Sequence, residues 1–226
     1  GIVYIQPQER GVVFSAFADG GVRKESLDPG IHWIVPFVEQ VRTYPISRQT
    51  YTMSTAQDEG AVASDDSIRA RTNDGQEVFI EASVIYSIEP ANIIQLHITW
   101  QDRYTDELVR PTVRGIIRDV ASQFGVEEIV STQRGVLEAE ITTLMEQKFK
   151  ENNLILVDFV LRDIHFSEEY ALAVEQKQIA EQQAQQAKFV VESKKQEAEQ
   201  ARQVAQGSAD AAVIAAKGEA EARLIQ

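Results

Sequence analysis

The side chains that most often do chemistry are scarce and scattered in these 226 residues. There are no cysteines, so no disulfide, thiolate nucleophile or cysteine metal site can form, and cysteine usage says nothing of the redox compartment. The three histidines, His32, His97 and His165, are isolated from one another, so the paired histidines of a zinc helix are missing. Asp158, Asp163 and His165 lie close in sequence, and on a strand the latter two would share a face. A hydrolase would need a nucleophile beside them, and none is indicated. Phosphate-cradling Gly-x-x-x-x-Gly-Lys, the Gly-x-Ser-x-Gly elbow and Gly-x-Gly-x-x-Gly are all absent. Asp74 sits in Asn73-Asp-Gly75, where a lone aspartate serves turn geometry far more often than a metal. The expectation is a chain without catalytic residues, cofactor or metal, in which His165 is structural.

Charge narrows the partners. The formal net charge is −13. Residues 167–226 hold seven Lys/Arg against ten Asp/Glu, a balance of −3, which leaves −10 for residues 1–166. Nucleic acid is excluded as the main partner, because phosphate binding needs clustered positive charge. No run of eighteen apolar residues exists to span a bilayer as a helix. The abrupt start at Gly1-Ile-Val-Tyr-Ile and the end at Arg223-Leu-Ile-Gln226, without a stop signal, suggest a longer natural protein.

The dominant element is Ser167 to Gln226, sixty residues without proline, of which fifteen are Ala and eleven Gln. Ser167 is a suitable N-cap, and Glu168 and Glu169 suit the positive end of the helix dipole. Such a helix would run for roughly 90 Å and must project from any compact domain. Alternating steps of four and three from Ala173 give sixteen seam positions ending at Gln226. Ten are alanine, among them Ala180, Ala184, Ala187, Ala198, Ala201, Ala205 and Ala212, and one is Val191. Lys177, Lys194, Ser208, Glu219 and Gln226 interrupt the stripe. Alanine seams bring backbones close but bury little area, and apolar residues off the seam (Leu172, Ile179, Phe189, Val190, Val204, Val213, Ile214) add a second face. Parallel, many-stranded assembly fits both facts. The competing reading is a solvated single helix supported by pairs such as Lys177 with Glu181, Lys188 with Glu192 and Glu219 with Arg223. Gly207 and Gly218, eleven residues apart, open the similar pieces Gly-Ser-Ala-Asp-Ala and Gly-Glu-Ala-Glu-Ala. Each costs about 1 kcal/mol in a helix, and close contact, a hinge or a tolerated defect would each explain them.

Ahead of that helix, residues 1–53 read as a β-rich unit punctuated by turns at Asp19-Gly-Gly21 and Asp28-Pro-Gly30. Ile31-His-Trp-Ile-Val-Pro-Phe-Val38 is apolar almost throughout. A run this short is usually a buried strand, which Pro36 would end or place at an edge. The other reading exposes Trp33, Ile34 and Phe37 to a membrane interface. Residues 54–67 are small and polar and read as a loop between two subdomains. Residues 68–166 read as an α+β unit: a hairpin at Asn73-Asp-Gly75, a strand with Val78, Ile80, Ala82, Val84, Tyr86 and Ile88 on one face, two amphipathic helices, and a closing strand from Leu154 to Phe166. The first helix carries Tyr104, Leu108, Ile117 and Phe124, with Pro111 as kink or restart; the second is expected to start at Ser131 or Thr132 and to end at Asn152-Asn153.

Several pieces, in order along the whole chain, carry a resemblance. They include Glu9-Arg-Gly-Val-Val13, Pro29-Gly-Ile-His-Trp-Ile-Val-Pro-Phe37, Thr72-Asn-Asp-Gly-Gln-Glu-Val78, Thr132-Gln-Arg134, Asp163-Ile-His-Phe-Ser-Glu-Glu-Tyr170, Ala187-Lys-Phe-Val-Val-Glu192 and Gly218-Glu-Ala-Glu-Ala222. Together they resemble the SPFH (stomatin, prohibitin, flotillin; band 7) superfamily, and within it most resemble a bacterial prohibitin. The 54–67 loop is long for that group. The resemblance implies a non-enzymatic membrane scaffold, anchored by a segment upstream of Gly1 in the inner or plasma membrane of a bacterium, the side left open. It further implies two SPFH subdomains at the membrane surface, with Trp33, Ile34 and Phe37 in the nearer one touching lipid. Coiled coils would assemble many copies, with or without a paralogue, into a ring or cage enclosing a membrane-anchored AAA protease. The rivals are a stomatin-like regulator of another membrane protease or channel, and a low-order soluble coiled-coil adaptor.

Overall fold

The computed structural model describes residues 1–56 and 58–225. Gln57, in the expected loop, and Gln226, the last seam step, lie outside the described residues. The chain is α+β and divides into two units, Gly1–Ser167 and Glu168–Gln226.

The first unit opens with four strands in two antiparallel ribbons. β1 (Ile2–Ile5) pairs with β3 (Gly30–Trp33), setting Ile2 opposite Trp33 and Tyr4 opposite Ile31. β2 (Glu9–Ser15) pairs with β4 (Glu39–Pro45) from Glu9↔Pro45 to Ser15↔Glu39. The turn after β2 needs positive φ at Gly20 and Gly21, 78° and 77°, which glycine adopts without a Cβ clash. The β2–β4 ribbon is tied to the rest of the unit by Arg10 Nη1, which donates to the Pro90 carbonyl at 3.1 Å, and by the Phe14 ring edge-on to His97 at 4.8 Å.

The main sheet is built on β7. β5 (Gln49–Met53) and β6 (Ile68–Arg71) both pair antiparallel with β7 (Glu77–Ile88), and β8 (Leu154–Phe166) pairs with it over its whole length. The registers hold an unexpected relation: Met53 faces Ala82 and Ile68 faces Ile80. β5 and β6 are therefore one edge strand in two halves, interrupted opposite Glu81, and residues 54–67 leave and re-enter the same edge. The boundary expected between 53 and 54 falls inside this sheet, because β5 completes the sheet of the second expected subdomain. The Asp66 N–H donates to the Ser54 carbonyl at 3.0 Å and closes the neck of the loop.

The alternation in β7 is as the sequence suggests on one face, where Val78, Ile80, Ala82, Val84, Tyr86 and Ile88 are all buried. The opposite face is less open than its polar residues imply, since Glu81 and Ser87 are buried as well. The hairpin from β6 to β7 turns at Asn73-Asp-Gly75, with Gly75 at φ 83°. Asp74 accepts from the Thr72 hydroxyl and from the Val126 N–H at 3.3 Å, so its carboxylate serves the turn and fastens a second loop to it.

Three α-helices follow among the described residues of this unit, the first packed against β2 and the other two against the sheet. α1 (Ile93–Trp100) is short; α2 (Arg110–Ala121) buries Val113, Ile117, Val120 and Ala121; α3 (Arg134–Glu151) buries Leu137, Ile141, Met145 and Phe149 at four-residue steps. Pro111 lies in the first turn of α2, directly after a wide turn over Thr105–Val109, and the widened turn accommodates a residue that cannot donate to it. Ser131 and Thr132, expected to start the second helix, belong instead to a wide turn over Glu128–Thr132, and Gln133 holds the cap position. The Ser131 hydroxyl donates back to the Glu127 carbonyl at 2.9 Å and is not free to cap. Asn153, in the left-handed region at φ 65°, terminates α3 as expected.

The second unit is α4 (Glu168–Leu224), 57 residues without a break, with Ser167 in the position just before it. None of its residues is buried. At 1.5 Å per residue it is roughly 86 Å long.

Candidate functional site

The histidines and acids do not converge on a reactive centre. The His97 imidazole is buried, Nδ1 against the Tyr44 hydroxyl, and burial together with the Arg42 charge pushes it below its ordinary pKa. His32 Nε2 bonds the Asp28 carbonyl at 2.6 Å. His165 does meet Asp163, at 3.5 Å, and Glu81, at 3.2 Å. Glu81 also accepts from the Thr55 N–H at 3.0 Å, the Thr55 hydroxyl and the Ser54 hydroxyl. Burial pushes the Glu81 carboxyl up, but these donors outweigh it and hold the group below the usual carboxylate range. Its role is to pin the mouth of the 54–67 loop to the sheet. Among the described residues no group of three His, Cys, Asp or Glu is placed to hold a metal ion.

Two surfaces present apolar groups to solvent, one in each unit. In the first, directly opposed residues of an antiparallel pair share a face, so Ile2, Tyr4, Ile31 and Trp33 form one apolar patch on the β1–β3 ribbon. All four are exposed, Trp33 at 74 %. Alternation turns the other residues away: Ile5 is buried, and Ile34 is half-buried, its carbonyl taking the Gly1 N–H. Beyond Trp33 the chain makes a tight turn in which Phe37 adopts φ 65° and stands fully exposed. An aromatic residue rarely takes that conformation, and the strain persists because Glu39 over-determines the turn. Its buried carboxylate accepts from the Arg23 guanidinium, Nε at 2.9 Å, and from the Val35 N–H at 2.8 Å. The Arg23 side chain and the Val35 N–H hold the Glu39 carboxyl below the usual range. The Ala16 N–H donates to the Val38 carbonyl at 3.3 Å, which brings exposed Phe17 to the same end.

Of the three residues expected at a lipid surface, Trp33 and Phe37 are thus exposed and Ile34 is not. Burial of this run, its more usual fate, is not what the structure has. Sequence reasoning missed Ile2, Tyr4, Ile31 and Phe17. The alternation Ile2-x-Tyr4 and Ile31-x-Trp33 was available to find the first three, while pairing two strands with 24 residues between them was not.

On α4 the seam residues Ala180, Ala184, Ala187, Val191, Ala198, Ala201, Ala205 and Ala212 are all exposed, as are Leu172, Ile179, Phe189, Val190, Val204, Val213 and Ile214. Lys177 lies 3.9 Å from Glu181, a spaced pair of the expected kind. A Cβ placed on Gly207 or Gly218 would meet nothing within 4 Å, so nothing inside the chain requires glycine there. Among the described residues no helix is long and apolar enough to cross a membrane.

A β-rich beginning, a sheet-and-helix middle and a long terminal helix define a class of protein whose residues 3–220 match the SPFH domain / Band 7 family. The chain belongs to that family. Within it the similarity is to prohibitins. The chain is 25 % identical to mitochondrial prohibitin complex protein 1 of Caenorhabditis elegans, covering 95 % of this chain and 72 % of the relative. It is 27 % identical to prohibitin 1 of Drosophila melanogaster (96 % and 73 %) and 29 % identical to prohibitin-1 of Schizosaccharomyces pombe (92 % and 68 %).

Proposed function

We propose that this chain is a non-enzymatic membrane scaffold whose copies associate through α4 and rest on the bilayer through the patch around Trp33 and Phe37. The observation that carries the reading is that α4 buries none of its 57 residues while exposing apolar side chains throughout. A helix of that length needs neighbours to remove such surface from water. The nematode relative is named for a complex, which supports assembly as the use of that surface. Closure of many copies, with or without a paralogue, into a ring or cage around a membrane-anchored AAA protease is the finer form of the proposal. It rests on the prohibitin resemblance, as does an anchor upstream of Gly1 in a bacterial inner or plasma membrane. Pairing of β5 with β7 supports drawing the subdomain division at 1–48 and 49–166.

The patch supports membrane contact on energetic grounds. Fully burying a large apolar side chain contributes roughly 1.5–3 kcal/mol, and a third of that at headgroup depth, for the six residues Ile2, Tyr4, Phe17, Ile31, Trp33 and Phe37, totals about 3–6 kcal/mol. The balance of −10 over residues 1–166 opposes anionic lipid, so the apolar groups must carry the attachment. The test is the mass of the detergent-extracted full-length protein, together with flotation of this chain on neutral vesicles. A megadalton particle is expected, as is at least fivefold weaker flotation for Trp33→Ser/Phe37→Ser with an unchanged melting temperature. A monomer or dimer overturns the scaffold, and unchanged flotation overturns the lipid contact.

A further inference from the structure

The proposed self-association of α4 leaves open which faces meet and how the helices wind. Upstream of Ala198 the apolar stripe follows steps of four and three; downstream it changes rule. Ala198, Ala201, Ala205, Ala209, Ala212, Ala216 and Ala220 follow one another in steps of three, four and four, seven alanines without an exception. The interruptions of the seven-residue seam at Ser208 and Glu219 vanish, because they lie beside this stripe and not in it. A second stripe with the same eleven-residue period runs along the opposite side of the helix: Gly207, Ala211, Ile214, then Gly218, Ala222 and, just past the helix end, Ile225. Its isoleucines are exposed at 70 % and 87 %. These large apolar groups are a feature separate from the small-residue stripe, and both glycines face open space within the chain.

We infer that in its last third α4 packs between two other copies of itself, parallel and in register, the alanine stripe of one against the Gly-Ala-Ile stripe of the next. The occupant is a second copy because a surface repeating every eleven residues is matched along its length only by one with the same repeat, and this helix carries the two complementary halves. Glycine and alanine leave hollows, and Ile214 and its repeat fill them. Opposite faces make the contact head-to-tail in the sideways sense, which adds copies one after another and closes only into a ring. The change of rule also sets the winding. A seven-residue repeat drifts about 20° per repeat one way around a straight helix, and an eleven-residue repeat drifts about 20° the other way. From Ala173 to Ala220 the two drifts largely cancel, so the stripe stays on one side and neighbours can lie as near-straight staves without coiling into a rope.

The inference rests on the scaffold reading, and two measurements separate their failures. These 226 residues hold no cysteine, so Gly207→Cys/Ala209→Cys, with any cysteine elsewhere in the full-length protein replaced by serine, places one thiol on each stripe, too far around the helix to bond each other. Oxidising the assembled full-length protein is expected to give a covalent ladder beyond dimer, and Gly207→Cys/Ser208→Cys at most traces of it. Assembly without a ladder from the first pair, or equal ladders from both, overturns the eleven-residue contact and leaves the scaffold standing. A protein that does not assemble at all overturns both. Independently, Gly207→Leu/Gly218→Leu is expected to raise the helicity of the dispersed chain and raise the assembly midpoint concentration at least tenfold. An unchanged or lower midpoint would mean the glycines are tolerated defects and no copy packs there.

Discussion

Glu81 and Glu39 are charged residues in places that elsewhere hold apolar ones, and both work by over-satisfying a short stretch of backbone. Glu81 takes the N–H and hydroxyl of Thr55 at the interruption of the edge strand; Glu39 takes the Val35 N–H and the Arg23 fork at the turn that displays Phe37. Their pKa values are held down, while burial holds down that of the His97 base. All three shifts act in one direction on stability. In each case the unfolded chain binds a proton at a pH where the folded chain does not, so stability rises with pH. The His97 contribution is intact above about pH 6.5, its unfolded value, and erodes below it; those of the two glutamates are intact above about 4.3 and are lost as pH falls further. Urea unfolding of the natural chain should therefore show two declines on acidification, one below about pH 6.5 and one below about pH 4.3. His97→Phe should flatten the upper decline and leave the lower. An upper decline unchanged in that variant would place its cause elsewhere.

Among the elements, the split edge strand makes the sharpest prediction. Because Ser54 and Asp66 are already hydrogen-bonded across the neck, replacing residues 56–64 by Gly-Gly should leave β5 and β6 in place, with a change in stability within about 1 kcal/mol. Loss of a cooperative melt would show that the loop holds the sheet together. What the sequence disclosed about these elements follows from how local each signal is. Val78 to Ile88 announce a strand by alternation, Asn73-Asp-Gly75 a hairpin, and the proline-free, alanine-rich run after Ser167 a long helix, each within its own few residues. That β5 and β6 are halves of one strand is written only in their common partner, so no periodicity could reveal it. Glu81 looked solvent-facing for the same reason, since what covers it comes from residues 54 and 55. Ser131 and Thr132 carry good capping side chains, but the wide turn over Glu128–Thr132 moved the helix start past them. At the exposed patch, Trp33 and Phe37 were legible as aromatics beside a turn, while Ile2 and Tyr4 join them only through a register.

For the whole molecule, charge is the term that the proposed assembly must overcome. Each copy carries −13, and parallel neighbours would bring Glu197, Glu199, Asp210, Glu219 and Glu221 alongside their equivalents. Screening lengths fall from about 30 Å at 0.01 M salt to about 8 Å at 0.15 M, so the repulsion is strong in dilute buffer and mostly gone at physiological strength. Sedimentation should show the particle loosening at low salt, with a midpoint concentration several-fold higher at 10 mM than at 150 mM sodium chloride. Dispersal by added salt would mean that ion pairs between copies hold it instead. The same molecule also offers a practical handle. A strand that stops at Met53, wanders for fourteen residues and resumes at Ile68, two places along its partner, is a natural splice point. A fluorescent domain grafted between the exposed Ala63 and Ser64 would keep the Ala61 N–H on the Thr52 carbonyl and leave both ends of the chain untouched, so subunits could be counted one by one as they bleach.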